Sequence, residues 1–280
     1  MNHPQLPALP PRAVDGHKGT YGTALLIGGS RGMAGSIALS GMAAARTGAG
    51  LVRLAVPDRC LETVASYSPC LMTIPLHEDL LGRIATRVDA FHSVVDKATC
   101  IAIGPGLGVT RELQVLLQEL LQRAPCPLIV DADGLNNLAH IENWHQYCQC
   151  PVVVTPHPGE WSRLSGVPAN RRDEQIAAAI SFAKQHHVVV VLKGHHTVIT
   201  DGRSTTINTT GTPAMATGGS GDVLTGVIAA LICQGLEPRD AAHLGVYAHG
   251  KAAEHAQHKL QSHVVLPTDL IEHLARGLES

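Results

Sequence analysis

The sequence predicts an α/β fold: a mostly parallel central sheet covered by helices on both faces. Three observations predict it. Short runs rich in Val, Ile and Leu alternate with longer segments patterned at helical spacing. Those runs are apolar almost without interruption, as strands buried on both faces must be. The distinctive motifs GPGLG, DADG, TPHPGE and KGHHT each follow such a run directly, at the strand ends where open parallel sheets bind ligands.

The first dozen residues are rich in proline and read as part of an extended arm, 1–16, of a single domain over 1–280. TALLIGG, from Thr23, reads as a buried strand ending in glycines. GGSRGMAGS, from Gly28, is a glycine loop without the G-x-G-x-x-G spacing of a dinucleotide fingerprint. SIALSGMAAARTG, from Ser36, reads as a helix of small residues closed by Gly48, and LVRLAVP, from Leu51, as a strand stopped by Pro57. CIAIGPGLG, from Cys100, is a strand running into a glycine loop. TRELQVLLQELLQR follows as an amphipathic helix with Thr110 as N-cap. PLIVDADG and PVVVTPHPGE, from Pro127 and Pro151, are two strands each followed by a polar turn. A helix from Asp173, the strand VVVVLKG from Val188 and a hairpin around Asp201-Gly202 come next. Two apolar helices, from Gly221 and from Pro238, close the pattern. The stretch 142–150 is the least readable.

Composition excludes some functions. The net charge is −2 with 16% charged residues, so neither a nucleic-acid footprint nor a polybasic membrane patch is expected. No apolar run is long enough to span a bilayer, and the start lacks a signal-peptide layout, which makes the cytoplasm the default compartment. The seven cysteines include one C-x-C pair, Cys148 and Cys150, without a second pair at zinc spacing. The seventeen histidines form no H-E-x-x-H and read mainly as surface or satisfied core residues.

The strongest local signal is TGGSGDVLTG, from Thr217 to Gly226. Gly218, Gly219 and Gly221 permit turns that aim several N–H groups into one hollow, and the following helix adds positive charge. Such a hollow attracts phosphate, and Asp222 at its rim can take a proton from a substrate hydroxyl. Alternatively Asp222 is only a helix-start residue, and the dipole that favours its anion weakens it as a base. In KGHHT, Lys193 can offer charge to a phosphate and Gly194 allows close approach, or the segment is a plain turn. His157 is held stiffly between Pro156 and Pro158, either to meet a ligand or to cap a turn. Asp131 and Asp133 lie on one face if their strand continues, where they can position Mg²⁺, or they form a strand-end turn.

Together these motifs resemble the ADP/ATP-dependent NAD(P)H-hydrate dehydratases, a branch of the ribokinase-like fold, in order and over almost the whole chain. The carrying segments are HKGTYGTALLIGGS from His17, TGAGLVRLAVP, IGPGLG, VDADGLN, TPHPGE, VLKGHHTVI and GGSGDVLTG. Related pyrimidine kinases tend to have TPN where this chain has TPH at Thr155 to His157. The chain departs from the family pattern at Ser36, where several relatives have Ala, and at Gly134, where many read DADAL.

The resemblance implies that Lys193, Gly194, His195, His196 and Thr197 line an adenine nucleotide, with Gly221 at its phosphates. It implies that Gly35, Ser36, Gly106, His157 and Asp222 contact a hydrated nicotinamide nucleotide. Asp222, with Gly219 and Gly221, would carry catalysis. ADP or ATP is the implied co-substrate, Mg²⁺ the implied cofactor and a homotetramer the implied assembly. The implied reaction phosphorylates the ring hydroxyl of hydrated NADH or NADPH and eliminates phosphate to restore the reduced cofactor. A vitamin-precursor kinase and a non-catalytic nucleotide-binding module are the competing readings.

Overall fold

In the computed structural model, which describes residues 6–85 and 88–279, the apolar runs assemble into a nine-stranded sheet. Its strands are β1 (Thr23–Ile27), β2 (Leu51–Pro57), β3 (Met72–Leu76), β4 (Cys100–Ile103), β5 (Leu128–Val130), β6 (Val152–Val154), β7 (Val189–Leu192), β8 (Val198–Thr200) and β9 (Thr205–Ile207). The spatial order is β3-β2-β1-β4-β5-β6-β7-β8-β9. Every pairing from β3 to β7 is parallel, and β8 runs antiparallel to both β7 and β9. The Asp201-Gly202 hairpin is thus formed, with Asp201 Oδ1 accepting from the N–H groups of Arg203 and Ser204. The chain changes direction across the sheet between β1 and β4. That switch opens a crevice at the carboxyl ends of those two strands.

Both faces are covered, as the apolar strands require. One layer contains α1 (Ala34–Thr47), α2 (Leu61–Ser66), α8 (Ser220–Cys233), α9 (Pro238–Leu260) and α10 (Pro267–Leu278). The other contains α3 (Val88–Val95), α4 (Arg111–Arg123), α5 (Asp133–Leu138), α6 (Pro158–Ser165) and α7 (Arg172–His186). Period-two alternation divides β1 between them: Ala24 and Leu26 join the first core, Leu25 and Ile27 the second. No helix among the described residues is long and apolar enough to cross a membrane. All seven cysteines are free thiols.

The small residues of α1 have a packing consequence. A side chain at Gly226 would place its Cβ 2.0 Å from the Ser40 carbonyl, so α1 and α8 cross almost backbone to backbone. At that crossing the Ser40 hydroxyl donates to the Asp222 carbonyl at 2.7 Å, fixing the start of α8. Of the arm, residues 1–5 lie outside the described residues. The described part is pinned by Arg12, which donates to the Gly48 carbonyl and stacks 4.0 Å from the Tyr21 ring centroid. β3 and α10 lie outside the sequence pattern. Pro75 interrupts β3, and this sheet-edge position tolerates it. α10 opens on Pro267, which suits a first helical turn.

Candidate active site

The loops after β1, β4, β5, β6 and β7 meet the first turn of α8 at one edge of the sheet. Gly219 caps α8 in the left-handed region, φ +97°, without a side-chain cap. Ser220, Gly221 and Asp222 form the first turn. The N–H groups of Gly221 and Asp222 have no acceptor among the described residues, as helix starts require unless capped. His249 of α9 holds this turn from behind, its Nε2 2.9 Å from the Ser220 carbonyl. Burial pushes that imidazole down to about 4, so it is neutral and Nε2 is the donor.

Across from the turn stands Lys193, at the end of β7. A Cβ on Gly221 would lie 3.4 Å from Lys193 Nζ. The ammonium donates to Asp131 Oδ1 at 2.7 Å and lies 3.9 Å from Glu160 Oε2. Asp131 is almost wholly buried and accepts from the Thr225 hydroxyl on Oδ2 at 2.6 Å. Burial would raise its carboxyl, but Lys193 and the hydrogen bonds hold it below the usual carboxylate range. Asp222 differs. Burial and the charge of Asp131 push its carboxyl up to about 7, against the opposing pull of a Ser36 hydrogen bond and of Lys193. The weakening of this base expected from the helix dipole is therefore outweighed by desolvation and like charge.

The loop after β4 supplies Gly106, at φ +65°, where a Cβ would stand 2.6 Å from the Met33 carbonyl and 3.1 Å from Ser36 Cβ. Only glycine allows this approach. Ser30 Oγ donates to the Gly106 carbonyl at 2.8 Å, joining the loops of β1 and β4. α1 begins at Ala34, two residues earlier than the pattern predicts, so Gly35 and Ser36 occupy the second and third positions of its first turn.

His157 is the N-cap of α6. Its Nδ1 accepts from the N–H groups of Gly159 and Glu160 at 3.0 and 3.3 Å, and Nε2 lies 3.3 Å from Glu160 Oε1. The turn-capping alternative is realised, while half of the side chain remains exposed beside Lys193 and Asp131. Burial, Lys193 and Arg163 hold the imidazole below its ordinary value, hence neutral near pH 7.

One expectation about geometry is corrected. β5 ends at Val130 and Ala132 turns at φ +48°, so Asp131 and Asp133 do not share a strand face. Asp131 turns to Lys193, whereas Asp133 starts α5 and accepts from the Gly108 N–H at 2.9 Å and from Asn136 Nδ2 at 3.1 Å. No group of three His, Cys, Asp or Glu side chains among the described residues is placed to hold a metal. With both Asp131 oxygens already engaged, these residues do not fit an all-protein magnesium cage.

The segment 193–197 forms an exposed turn in which His195 and His196 stack, ring centroids 3.9 Å apart, and Thr197 donates to the Gly194 carbonyl at 3.1 Å. Arg172, at the start of α7, braces it by donating to the carbonyls of Lys193 and Leu192 at 3.1 Å each. Arg172, Glu160, Thr225 and His249 have no role in the sequence reading. Glu160 was detectable, because its spacing from His157 is that of a capping box. Arg172 carries no local signal, since its partners lie in another element.

The family described as NAD(P)H-hydrate dehydratase matches residues 24–276. A bifunctional NAD(P)H-hydrate repair enzyme from Moorella thermoacetica is 42% identical over 270 residues, 95% of this chain and 51% of that protein. The chain spans about half the length of the first curated relatives it matches. The ADP-dependent (S)-NAD(P)H-hydrate dehydratase of Bacillus subtilis is 36% identical, with 96% of this chain and 93% of that one covered. A crystal structure of an ADP/ATP-dependent NAD(P)H-hydrate dehydratase from the same species, co-crystallised with ATP and Mg²⁺, superposes with a TM-score of 0.82 at 34% identity, covering 96% of this chain and 93% of that one. An Arabidopsis thaliana ribokinase superposes at 0.59 with 12% identity, covering 92% and 99%, a likeness of fold alone.

Proposed function

The chain belongs to the NAD(P)H-hydrate dehydratase family, and on that premise we propose that it uses ADP or ATP to return hydrated NADH or NADPH to the reduced cofactor. The observation that carries this reading is the placement of Asp222, raised to about 7, on the uncapped first turn of α8 that faces Lys193. A carboxylate titrating near neutrality is suited to take a proton at working pH. Here it takes the proton of the ring hydroxyl. The hydroxyl oxygen forms a bond to the terminal phosphorus of the nucleotide, and the bond from that phosphorus to the leaving nucleotide breaks. The amides of Gly221 and Asp222 and the Lys193 ammonium face the charge spread over the transferring group. Phosphate is then expelled with the electrons of the ring nitrogen, a proton leaves the adjacent ring carbon, and the reduced nicotinamide is restored.

Within this reading Lys193, Gly194, His195, His196 and Thr197 line the nucleotide. Gly35, Ser36, Gly106 and His157 hold the hydrate, and Gly219 and Gly221 shape the hollow. Magnesium arriving with the nucleotide would supply charge neutralisation at phosphate oxygens, the rest of its shell being water. The same reading makes 1–280 one catalytic unit that assembles as a cytoplasmic homo-oligomer and acts on small molecules, without nucleic acid or membrane.

Incubation with NADPH hydrate plus ADP or ATP tests it. Absorbance at the reduced-nicotinamide band should return only when a nucleotide is present. No recovery, together with phosphorylation of a thiazole or pyrimidine alcohol, would overturn the reading in favour of a kinase.

A further inference from the structure

We infer that a cavity beside the first turn of α1 is a second anion subsite, one that grips a phosphate in the half of the hydrated dinucleotide remote from the reacting ring. This rests on the function proposed above. The cavity has a volume of about 540 Å³ and is lined by Arg31, Gly35, Arg59, Thr63 and Tyr67 among others. Gly35 lines it and precedes Ser36, which hydrogen-bonds Asp222. The cavity is therefore continuous along the chain with the proposed chemistry.

Its lining is built for an anion. Arg31 is exposed and its guanidinium has no partner among the described residues. Its backbone N–H is tied to the Gly82 carbonyl at 3.0 Å, so the charge is anchored at its root. Arg59 is half-exposed and oriented by Glu78, whose Oε1 takes Nε at 2.7 Å. That bond leaves both terminal nitrogens for a ligand, and an oriented guanidinium matches phosphate geometry. The N–H groups of Ala34 and Gly35 have no acceptor among the described residues, and Met33 offers no side-chain cap. Thr63 and the half-exposed Tyr67 add hydroxyls and a ring face.

Sheet order gives the direction. The nucleotide loop follows β7, whereas the cavity lies beyond β1, by the turn after β2. Strands β4, β5 and β6 separate β1 from β7, a span of about 19 Å at ordinary strand spacing. Phosphoryl donor and acceptor must meet in line near Asp222, so their remaining parts extend to opposite sides. The nucleotide takes the β7 side, and the distal half of the hydrate takes the β2 side, where the two arginines stand.

The test compares wild type with Arg31→Ala, Arg59→Ala and the double variant, at saturating ADP. Three substrates are used: NADH hydrate, NADPH hydrate and the hydrate of reduced nicotinamide riboside, which carries no phosphate. Each single change should raise KM for the dinucleotide hydrates roughly ten- to a hundredfold, the range of one lost charged hydrogen bond. The kcat, the KM for ADP and the riboside reaction should stay at wild-type values. A rise for both dinucleotides assigns the pyrophosphate, and a rise for NADPH hydrate alone assigns the 2′-phosphate. Wild-type KM in the variants, or an equal loss on the riboside, overturns the inference. Calorimetric titration of the ADP-saturated protein with inorganic pyrophosphate separates the two claims. Binding lost in the double variant supports the subsite even if the wild type repairs no hydrate. Equal binding in wild type and variant, or none in either, ends it.

Discussion

Two helix starts lie side by side at the sheet edge and share a design. α1 opens Ala34-Gly35-Ser36 and α8 opens Ser220-Gly221-Asp222. Each has glycine at the second position, a polar side chain at the third and no side-chain cap. The two third positions hydrogen-bond each other. Their surroundings separate them. The α8 turn faces Lys193; burial, and then the carboxylates of Asp131 and Asp133, hold its acid near neutrality. The α1 turn faces Arg31 and Arg59 and carries a hydroxyl in place of an acid. The comparison teaches that an uncapped helix start is only an anion hollow. Whether it hosts chemistry or merely holds a phosphate depends on what the tertiary structure sets opposite.

The largest break in this symmetry should come from Asp222→Asn. Loss of a general base lowers rate about 10²- to 10⁴-fold, so kcat should fall by that much while calorimetry finds nucleotide affinity nearly unchanged. A wild-type rate would remove Asp222 from the chemistry. Arg172→Ala leaves both helix starts intact and loosens only the loop opposite α8. KM for ADP should rise about tenfold, as expected for a charged hydrogen bond lost, with KM for the hydrate unchanged. Equal changes in both would show that the loop does not serve the nucleotide alone.

Ser36→Ala tests the bond between the two turns. In the wild type, activity should rise with pH through about 7 as Asp222 ionises. The Ser36 hydrogen bond lowers that value, so its removal should move the rising limb upward and cost a few-fold in rate at pH 6.5, comparable to one ordinary hydrogen bond. An unmoved limb would mean that the serine is a bystander.

The same carboxyl should also be felt in stability. Asp222 titrates at about 7 when folded and at the ordinary 3.8 when unfolded. Between those values the folded chain holds the extra proton, so stability falls as pH rises from 4 towards 7. Asparagine carries no such penalty. Asp222→Asn should therefore unfold at a higher temperature than wild type at pH 8, with the gap closing near pH 4. A gap independent of pH would contradict the buried, raised carboxyl.

Local sequence made much of this legible. The apolar runs marked eight of the nine strands, the last two as a hairpin, without any tertiary information, because burial on both faces writes itself into composition. β3 escaped because Pro75 and its half-exposed edge position break the pattern. The glycine motifs fell at strand ends, where backbone must approach a ligand or another loop, and a Cβ added at Gly106 would stand only 2.6 Å from the Met33 carbonyl. The family resemblance carried the residue roles further than spacing alone allowed.

What the sequence by itself determined is a two-sided sheet with its polar loops at one edge, since strand and helix periodicities are local properties. Tertiary structure alone decided that Asp131 serves Lys193 and leaves Asp133 to pair with the loop of β4, and that Asp222 is the acid left near neutrality. Protonation and pairing depend on burial and on charges from elements far apart in the chain, and those distances exist only once the chain has folded.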